Sequence, residues 1–343
     1  MGMIKSLAGL VLGASLFLNS GCVNYKFQGK NLKRESLPSA LVQEYSYSKT
    51  NKLEYKVEDL SQERNYDIKR VTLLVPPEEY QLGNRRIIFD YYDIKGTNKT
   101  PAILVLPILG GRDYPLEKHL AVSCVKNGYA AVMVHREKLK KELAQVDIVN
   151  DMLKQTVTDH MRVIDWMETQ NDLDIGNIGA FGASMGAIKG AMLMPLEKRI
   201  KAGVFGLVGG DLPHILLNTT ERGIVKIRDA YLLEKNITKE ELENKLRKDI
   251  TCDPNLLAKY IDPARVMLVL ASSDDVVPYK KGLELKEKMG NPKTLVYPAG
   301  HYTILPFVLS IESQANRFFE KQFKGKNGEN KAFRNGNGKF TRR

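Results

Sequence analysis

A serine held between two glycines, at the junction of an apolar strand and a helix, constrains this chain more than any other feature. Gly182-Ala183-Ser184-Met185-Gly186 follows Ile178-Gly179-Ala180-Phe181, which reads as a short strand, and precedes Ala187 to Met194, which reads as a helix rich in small residues. A backbone that turns sharply from strand to helix brings the two elements too close for side chains flanking the turn, so glycines are required there. The same turn lifts the serine hydroxyl clear of the sheet, with a helix N-terminus beneath it that favours negative charge. The pattern alone also fits a glycine-rich strand-to-helix turn in any α/β protein. Its meaning depends on the residues downstream.

Two further segments lie there. Val266-Met267-Leu268-Val269-Leu270 is an apolar run of strand length and leads into Ala271-Ser272-Ser273-Asp274-Asp275-Val276-Val277-Pro278. A carboxylate just past the C-terminal end of a buried strand lies where open α/β sheets place their sites. Thr294 to Tyr297 reads as another short strand and ends in Pro298-Ala299-Gly300-His301-Tyr302, where Gly300 lets the chain turn His301 back over the sheet edge. Of the five histidines, His119, His135 and His160 precede the serine and His214 precedes the acid, so only His301 completes the order serine, acid, histidine. A single histidine is more often structural than catalytic. The joint placement makes Ser184, Asp274 and His301 the candidate catalytic residues. Asp211, just past Val208-Gly209-Gly210, is a second position from which an acid could come.

These three segments carry a family resemblance. Residues from about 69 to 323 resemble the α/β-hydrolase superfamily, in the region of its dienelactone-hydrolase-like and esterase-like members. The matched pieces are the Gly-Ala-Ser-Met-Gly elbow, the Ala271 to Pro278 segment, which looks like the family's G-x-x-D-x-x-V-P, and Pro298 to Tyr302. In that pattern the acid stands four residues before the proline, which selects Asp274 over Asp275. The chain departs from the family with Ala271 in place of Gly. It departs again with Leu106-Pro107-Ile108-Leu109-Gly110-Gly111 where many members carry His-Gly. The resemblance implies an oxyanion hole built from the N–H of Met185 and an N–H of that second loop, with Leu109 first and Ile108 second. It implies a serine hydrolase that forms an acyl-enzyme, on carboxylic esters ahead of thioesters or amides. The competing class is a hydrolase scaffold used for binding without chemistry.

The ends of the chain bear on location. Within Met1 to Gly21, the run Leu7 to Leu18 is apolar or small throughout and ends at Asn19-Ser20-Gly21-Cys22. That run is too short to span a bilayer and has the proportions of a signal peptide. Its Gly-Cys end looks like a bacterial lipoprotein signal with Cys22 as the acylated residue. Asn19 departs from the apolar residue usual there, and a plain secretory signal is the alternative. Of the formal charge of +12, the tail Lys324 to Arg343 carries +6, from seven basic residues and one Glu. It is rich in Gly and Asn and reads as a disordered, solvated tail. No nucleic-acid-binding signature accompanies the charge, so nucleic acid is not an expected partner. Cys124 and Cys252 are expected to be two buried thiols rather than a pair.

Between the ends, residues 22–66 read as a tether and loosely attached extension. Residues 67–323 read as an α/β domain whose mostly parallel sheet is flanked by helices. Arg70 to Val75 and Arg85 to Tyr92 suggest an antiparallel start, and Ala102 to Leu106, Tyr129 to Val134 and Ala202 to Val208 suggest buried strands. Val146, Val149, Leu153, Val157, Met161, Ile164 and Met167 recur at steps of three and four, which predicts a long amphipathic helix. Its methionines are core, not ligands. From about 212 to 262 the βα rhythm stops, and Thr238-Lys239-Glu240-Glu241 forms a capping box. That insertion reads as a helical cap over the pocket. No metal-ligand spacing and no phosphate-binding or dinucleotide-binding glycine loop occurs, so neither metal nor cofactor is implied.

Overall fold

The structure, a computed structural model, describes residues 23–25, 35–49, 53–75, 86–97, 99–110, 113–136 and 146–324. Its strands are β1 (Val23–Tyr25), β2 (Tyr55–Gln62), β3 (Tyr66–Leu74), β4 (Arg86–Ile94) and β5 (Thr100–Leu106), followed by β6 (Ala130–Val134), β7 (Leu173–Ala183), β8 (Ile200–Gly206), β9 (Val266–Ala271) and β10 (Lys293–Tyr297). The helices are α1 (Ser39–Glu44), α2 (Pro115–Lys126), α3 (Val149–Glu168), α4 (Met185–Leu196) and α5 (Leu212–Asn218), then α6 (Arg222–Lys235), α7 (Lys239–Asp249), α8 (Pro254–Leu257), α9 (Tyr279–Lys288) and α10 (Val308–Lys324). Among the described residues the ten strands form one sheet in the order β1-β10-β9-β8-β7-β5-β6-β4-β3-β2. The block from β10 to β6 is parallel, and β4, β3, β2 and β1 pair antiparallel at the two sides.

Every residue of β5, β6 and β9 is buried, because helices cover both faces of the parallel block. Alternate side chains feed two cores. Leu104 and Leu106 of β5 join the core under α3, α4 and the insertion, while Ile103 and Val105 join the core under α2 and α10. Trp166 on α3 fills the first core, with its ring edge-on to Phe89 at 4.7 Å and Tyr91 at 5.4 Å. Such aromatic pairs add about 0.5–1.5 kcal/mol each beyond their buried area.

The expected boundary at residue 67 needs correction. The sheet starts earlier: β2 pairs with β3 along its whole length, and β1 pairs with β10. Tyr45 is buried and its hydroxyl donates to Cys252 Sγ at 2.9 Å, while the Tyr47 hydroxyl donates to Asp165 at 2.6 Å. Both faces of β2 are exposed, so no buried apolar face marks it, and backbone pairing holds it at the edge. Residues 1–21, Cys22 and residues 325–343 lie outside the described residues.

The insertion between β8 and β9 contains α5 to α8. The capping box at its centre has both reciprocal bonds, Glu241 N–H to Thr238 Oγ1 at 3.2 Å and Thr238 N–H to Glu241 Oε2 at 2.8 Å. Cys124 and Cys252 are free and buried. Burial pushes both thiols up, Cys252 to about 12, so both are protonated at neutral pH.

Candidate functional site

The parallel strands end together on one side of the sheet. β7 stands between β5 and β8, with Gly182 beside Leu106 on one side and Phe205 on the other. The turn into α4 begins one residue beyond β7 and places Ser184 at φ 53° and ψ −124°. A Cβ on Gly182 would lie 2.5 Å from the backbone of Gly186, and one on Gly186 would lie 2.5 Å from the Leu106 carbonyl oxygen. The glycines are therefore demanded by backbone-to-backbone contact on both sides of the elbow. Ser184 N–H donates to the Gly206 carbonyl at 2.8 Å, which fixes the turn against β8.

A non-glycine residue at such a φ stores strain of about 1–3 kcal/mol, whereas glycine at an ordinary position costs about 0.5–1 kcal/mol through the unfolded chain. Ser184→Gly should accordingly be the more stable of two inactive variants. Its thermal midpoint should exceed that of Ser184→Ala by a few degrees, since both lose the same hydroxyl and only glycine relieves the backbone. Equal midpoints, or a lower one for Ser184→Gly, would show that the elbow carries no strain.

Asp274 follows β9 and His301 follows β10, and the two loops are tied to each other. Ser272 N–H donates to the Tyr297 carbonyl and Ser273 N–H to the Ala299 carbonyl, each at 2.9 Å. Both side chains are buried. His301 Nδ1 lies 3.0 and 2.9 Å from the two Asp274 carboxylate oxygens, and His301 Nε2 lies 3.0 Å from Ser184 Oγ. Asp274 Oδ1 also accepts the N–H groups of Val276 at 3.0 Å and Val277 at 2.9 Å, which orient the carboxylate. An ionised carboxylate only accepts, so Nδ1 carries the hydrogen and Nε2 presents its lone pair to the serine hydroxyl. The arrangement can take a proton from Ser184 and return it to a leaving group.

The other two acids face elsewhere. Asp275 is exposed, and its carbonyl accepts Thr220 N–H at 3.4 Å. Asp211 pairs with Lys281 at 2.9 Å and Arg247 at 3.1 Å. Partial burial alone would push its carboxyl up, but these two cations hold it below the usual range.

Of the expected oxyanion donors, Met185 is the first residue of α4, so its N–H has no acceptor within the helix. Ile108, the second candidate in the other loop, is already committed. Its N–H donates to Glu117 Oε1 at 3.1 Å. The N–H of Leu109 makes no hydrogen bond among the described residues.

Two elements of the site were not read from the sequence. Glu117, buried in the first turn of α2, accepts the Ile108 N–H and also the Arg136 guanidinium at 2.9 Å. That guanidinium sits 3.9 Å from the centroid of the Tyr114 ring. A buried charge thereby clamps the loop that carries Leu109. The signal was available: Glu117 falls on the same helical stripe as the buried Leu120, Ala121 and Cys124, where a carboxylate is out of place unless paired. The second element is a side-chain link between the His301 loop and the insertion. The Tyr302 hydroxyl donates to Glu221, which joins the residue after His301 to the start of α6 in the insertion.

Comparison with known proteins shows the fold. No family model and no curated protein sequence matches the chain. By structure it is similar to acetyl xylan esterase 1 from a Thermoanaerobacterium species, with a TM-score of 0.61 and 16% identity over 85% of this chain and 95% of that one. It is similar to an acetyl xylan esterase from a Paenibacillus species, with a TM-score of 0.56 and 18% identity over 83% and 99% of the two chains. It is also similar to an acylaminoacyl peptidase from Pyrococcus horikoshii, with a TM-score of 0.53 and 12% identity over 75% and 48%. The fold is the α/β-hydrolase fold expected from the sequence.

Proposed function

We propose that the chain is a serine hydrolase that cleaves a carboxylic ester through an acyl-enzyme. The observation that carries this reading is the continuous chain of hydrogen bonds from Asp274 through His301 to Ser184, at the end of a strained turn between two glycines. His301 accepts the Ser184 proton as Oγ attacks the acyl carbonyl. The negative oxygen that forms is held by the N–H groups of Met185 and Leu109, and one such donor is worth roughly 3–4 kcal/mol of transition-state stabilisation. His301 then protonates the departing alcohol. Water, activated by the same imidazole, releases the acid. Asp274 stays ionised, fixing the tautomer and stabilising the imidazolium. Esters are preferred over amides because the esterases among the structural neighbours match the chain over most of both lengths. On the same reading the enzyme is held in a bacterial envelope by acylated Cys22.

An acyl-enzyme makes a specific kinetic prediction. With p-nitrophenyl acetate and naphthyl acetate as substrates and hydroxylamine as a competing nucleophile, both should give one ratio of acetohydroxamate to acetate, because both pass through the same acetyl-Ser184. Ratios that differ between the two leaving groups would mean direct attack by water on the substrate.

A further inference from the structure

The register of β1 fixes which end of the molecule the N-terminal anchor would hold. β1 runs antiparallel to β10, with Val23 opposite Val296 and Tyr25 opposite Thr294. Val23 therefore lies near the C-terminal end of β10, the end that leads directly to His301. Val23 is the residue bonded to Cys22 in the sequence. Val23, where the sheet meets the proposed anchor, lies on the same side of the domain as Ser184 and its partners.

That side also carries exposed apolar residues, with the Glu221 carboxylate at their Tyr302 end. From Tyr302 to Ile311 no residue is charged, in a chain that is 27% charged overall. Leu305 is 55% exposed and Leu309 53% exposed, and Val23 at the strand edge is 52% exposed. The segment begins one residue after His301. It is anchored from below by Tyr297, whose ring lies 4.9 Å from Phe307 and whose hydroxyl is 3.2 Å from Ser310 Oγ. Tyr297 directly follows Val296, the partner of Val23. Val23 and the exposed leucines thus rest on one strand end. Leu305 and Leu309 are costly to expose to water and favourable against acyl chains.

We infer that the domain sits mouth-down on its membrane, with the Tyr302–Leu309 surface against the phospholipid bilayer and Ser184 opening toward the lipid rather than away from it. This rests on the reading of Cys22 as a lipidation site. A single anchor on a flexible linker leaves orientation free. A second contact beside an anchor bonded to a strand residue fixes it, since two membrane signals act together. Acyl substrates then reach the elbow from the bilayer side.

The test uses the full lipidated chain in vesicles of phosphatidylethanolamine and phosphatidylglycerol. Cys124 and Cys252 are buried, so an introduced cysteine can be labelled selectively with an environment-sensitive dye. Leu305→Cys reports the proposed contact, and Lys288→Cys, exposed at the far end of α9, reports the opposite side. The label at 305 should shift to the blue and lose emission to a quencher carried on the lipid chains, while the label at 288 should do neither. Vesicle-bound protein with both labels in water would overturn the orientation alone. Protein that fails to float with vesicles, or that lacks acyl groups on Cys22, would overturn the anchoring reading and this inference with it.

Discussion

Ser184→Ala and His301→Ala should each lower kcat against p-nitrophenyl acetate by on the order of 10³-fold or more, and the double variant should be little worse than either. The non-additivity is the informative part. On the proposed mechanism every later step of His301 depends on the proton it first takes from Ser184 Oγ, 3.0 Å away, so removing either partner removes the contribution of both. What would remain is binding and the proposed N–H donors of Met185 and Leu109, which neither substitution touches. Stability should fall little, because the hydroxyl and the imidazole sit at the ends of loops fixed by backbone bonds from Ser184, Ser272 and Ser273. Steady-state kinetics with circular dichroism checks both points. Wild-type turnover in folded Ser184→Ala, or losses that multiply in the double variant, would mean that the two residues do not work as a unit.

The second large effect is on folding. In Gly182→Ala the new methyl carbon would lie 2.5 Å from the carbonyl group of Gly186, and in Gly186→Ala it would lie 2.5 Å from the carbonyl oxygen of Leu106. Both obstacles are backbone, with no side chain free to swing aside. Overpacking of this kind costs about 1–3 kcal/mol and more where the neighbour cannot yield. Displacing α4 from β5 also moves Met185 relative to the Leu109 loop, and a misplacement of about 1 Å can cost on the order of 10²-fold in rate. Gly110→Ala provides the comparison for stability, since a Cβ there meets nothing within 4 Å. Chemical denaturation should show both elbow variants unfolding at much lower denaturant than wild type, with Gly110→Ala near it. Elbow variants as stable as Gly110→Ala would mean that the close approach of β5, β7 and α4 is not what demands glycine.

The parts of the site legible in the sequence are those that need a particular side chain or a missing one. Ser184 announces itself through its glycines, and His301 through elimination and a preceding Gly300. Asp274 stands at the end of an apolar run. The four-residue spacing to Pro278 favours Asp274 over Asp275, and the structure turns Asp274 to the imidazole because Val276 and Val277 donate to its carboxylate. Asp211 occupies an equivalent-looking position, but Lys281 lies seventy residues further along the chain and nothing local reveals that pairing. The proposed oxyanion donors are backbone groups and carry no side-chain signature. Glu117 takes up the Ile108 N–H, and its placement depends on a tertiary contact with Arg136. The N-terminal region misled for a related reason. β2 is solvated on both faces, and the segment before it is held by isolated contacts such as those of Tyr45 and Tyr47, so neither produces the apolar period from which strands and helices are read.

The central claim is that Ser184 is a nucleophile activated by His301, and covalent capture tests it most directly. A fluorophosphonate probe mimics the acyl carbonyl and needs both an activated serine and an oxyanion hole to react. Peptide mass mapping of the labelled protein should find one phosphonyl adduct, on Ser184, formed within minutes at neutral pH. The adduct should be absent from Ser184→Ala and strongly slowed in His301→Ala. No adduct on the folded wild-type protein, or an adduct on another residue that persists in Ser184→Ala, would contradict the account.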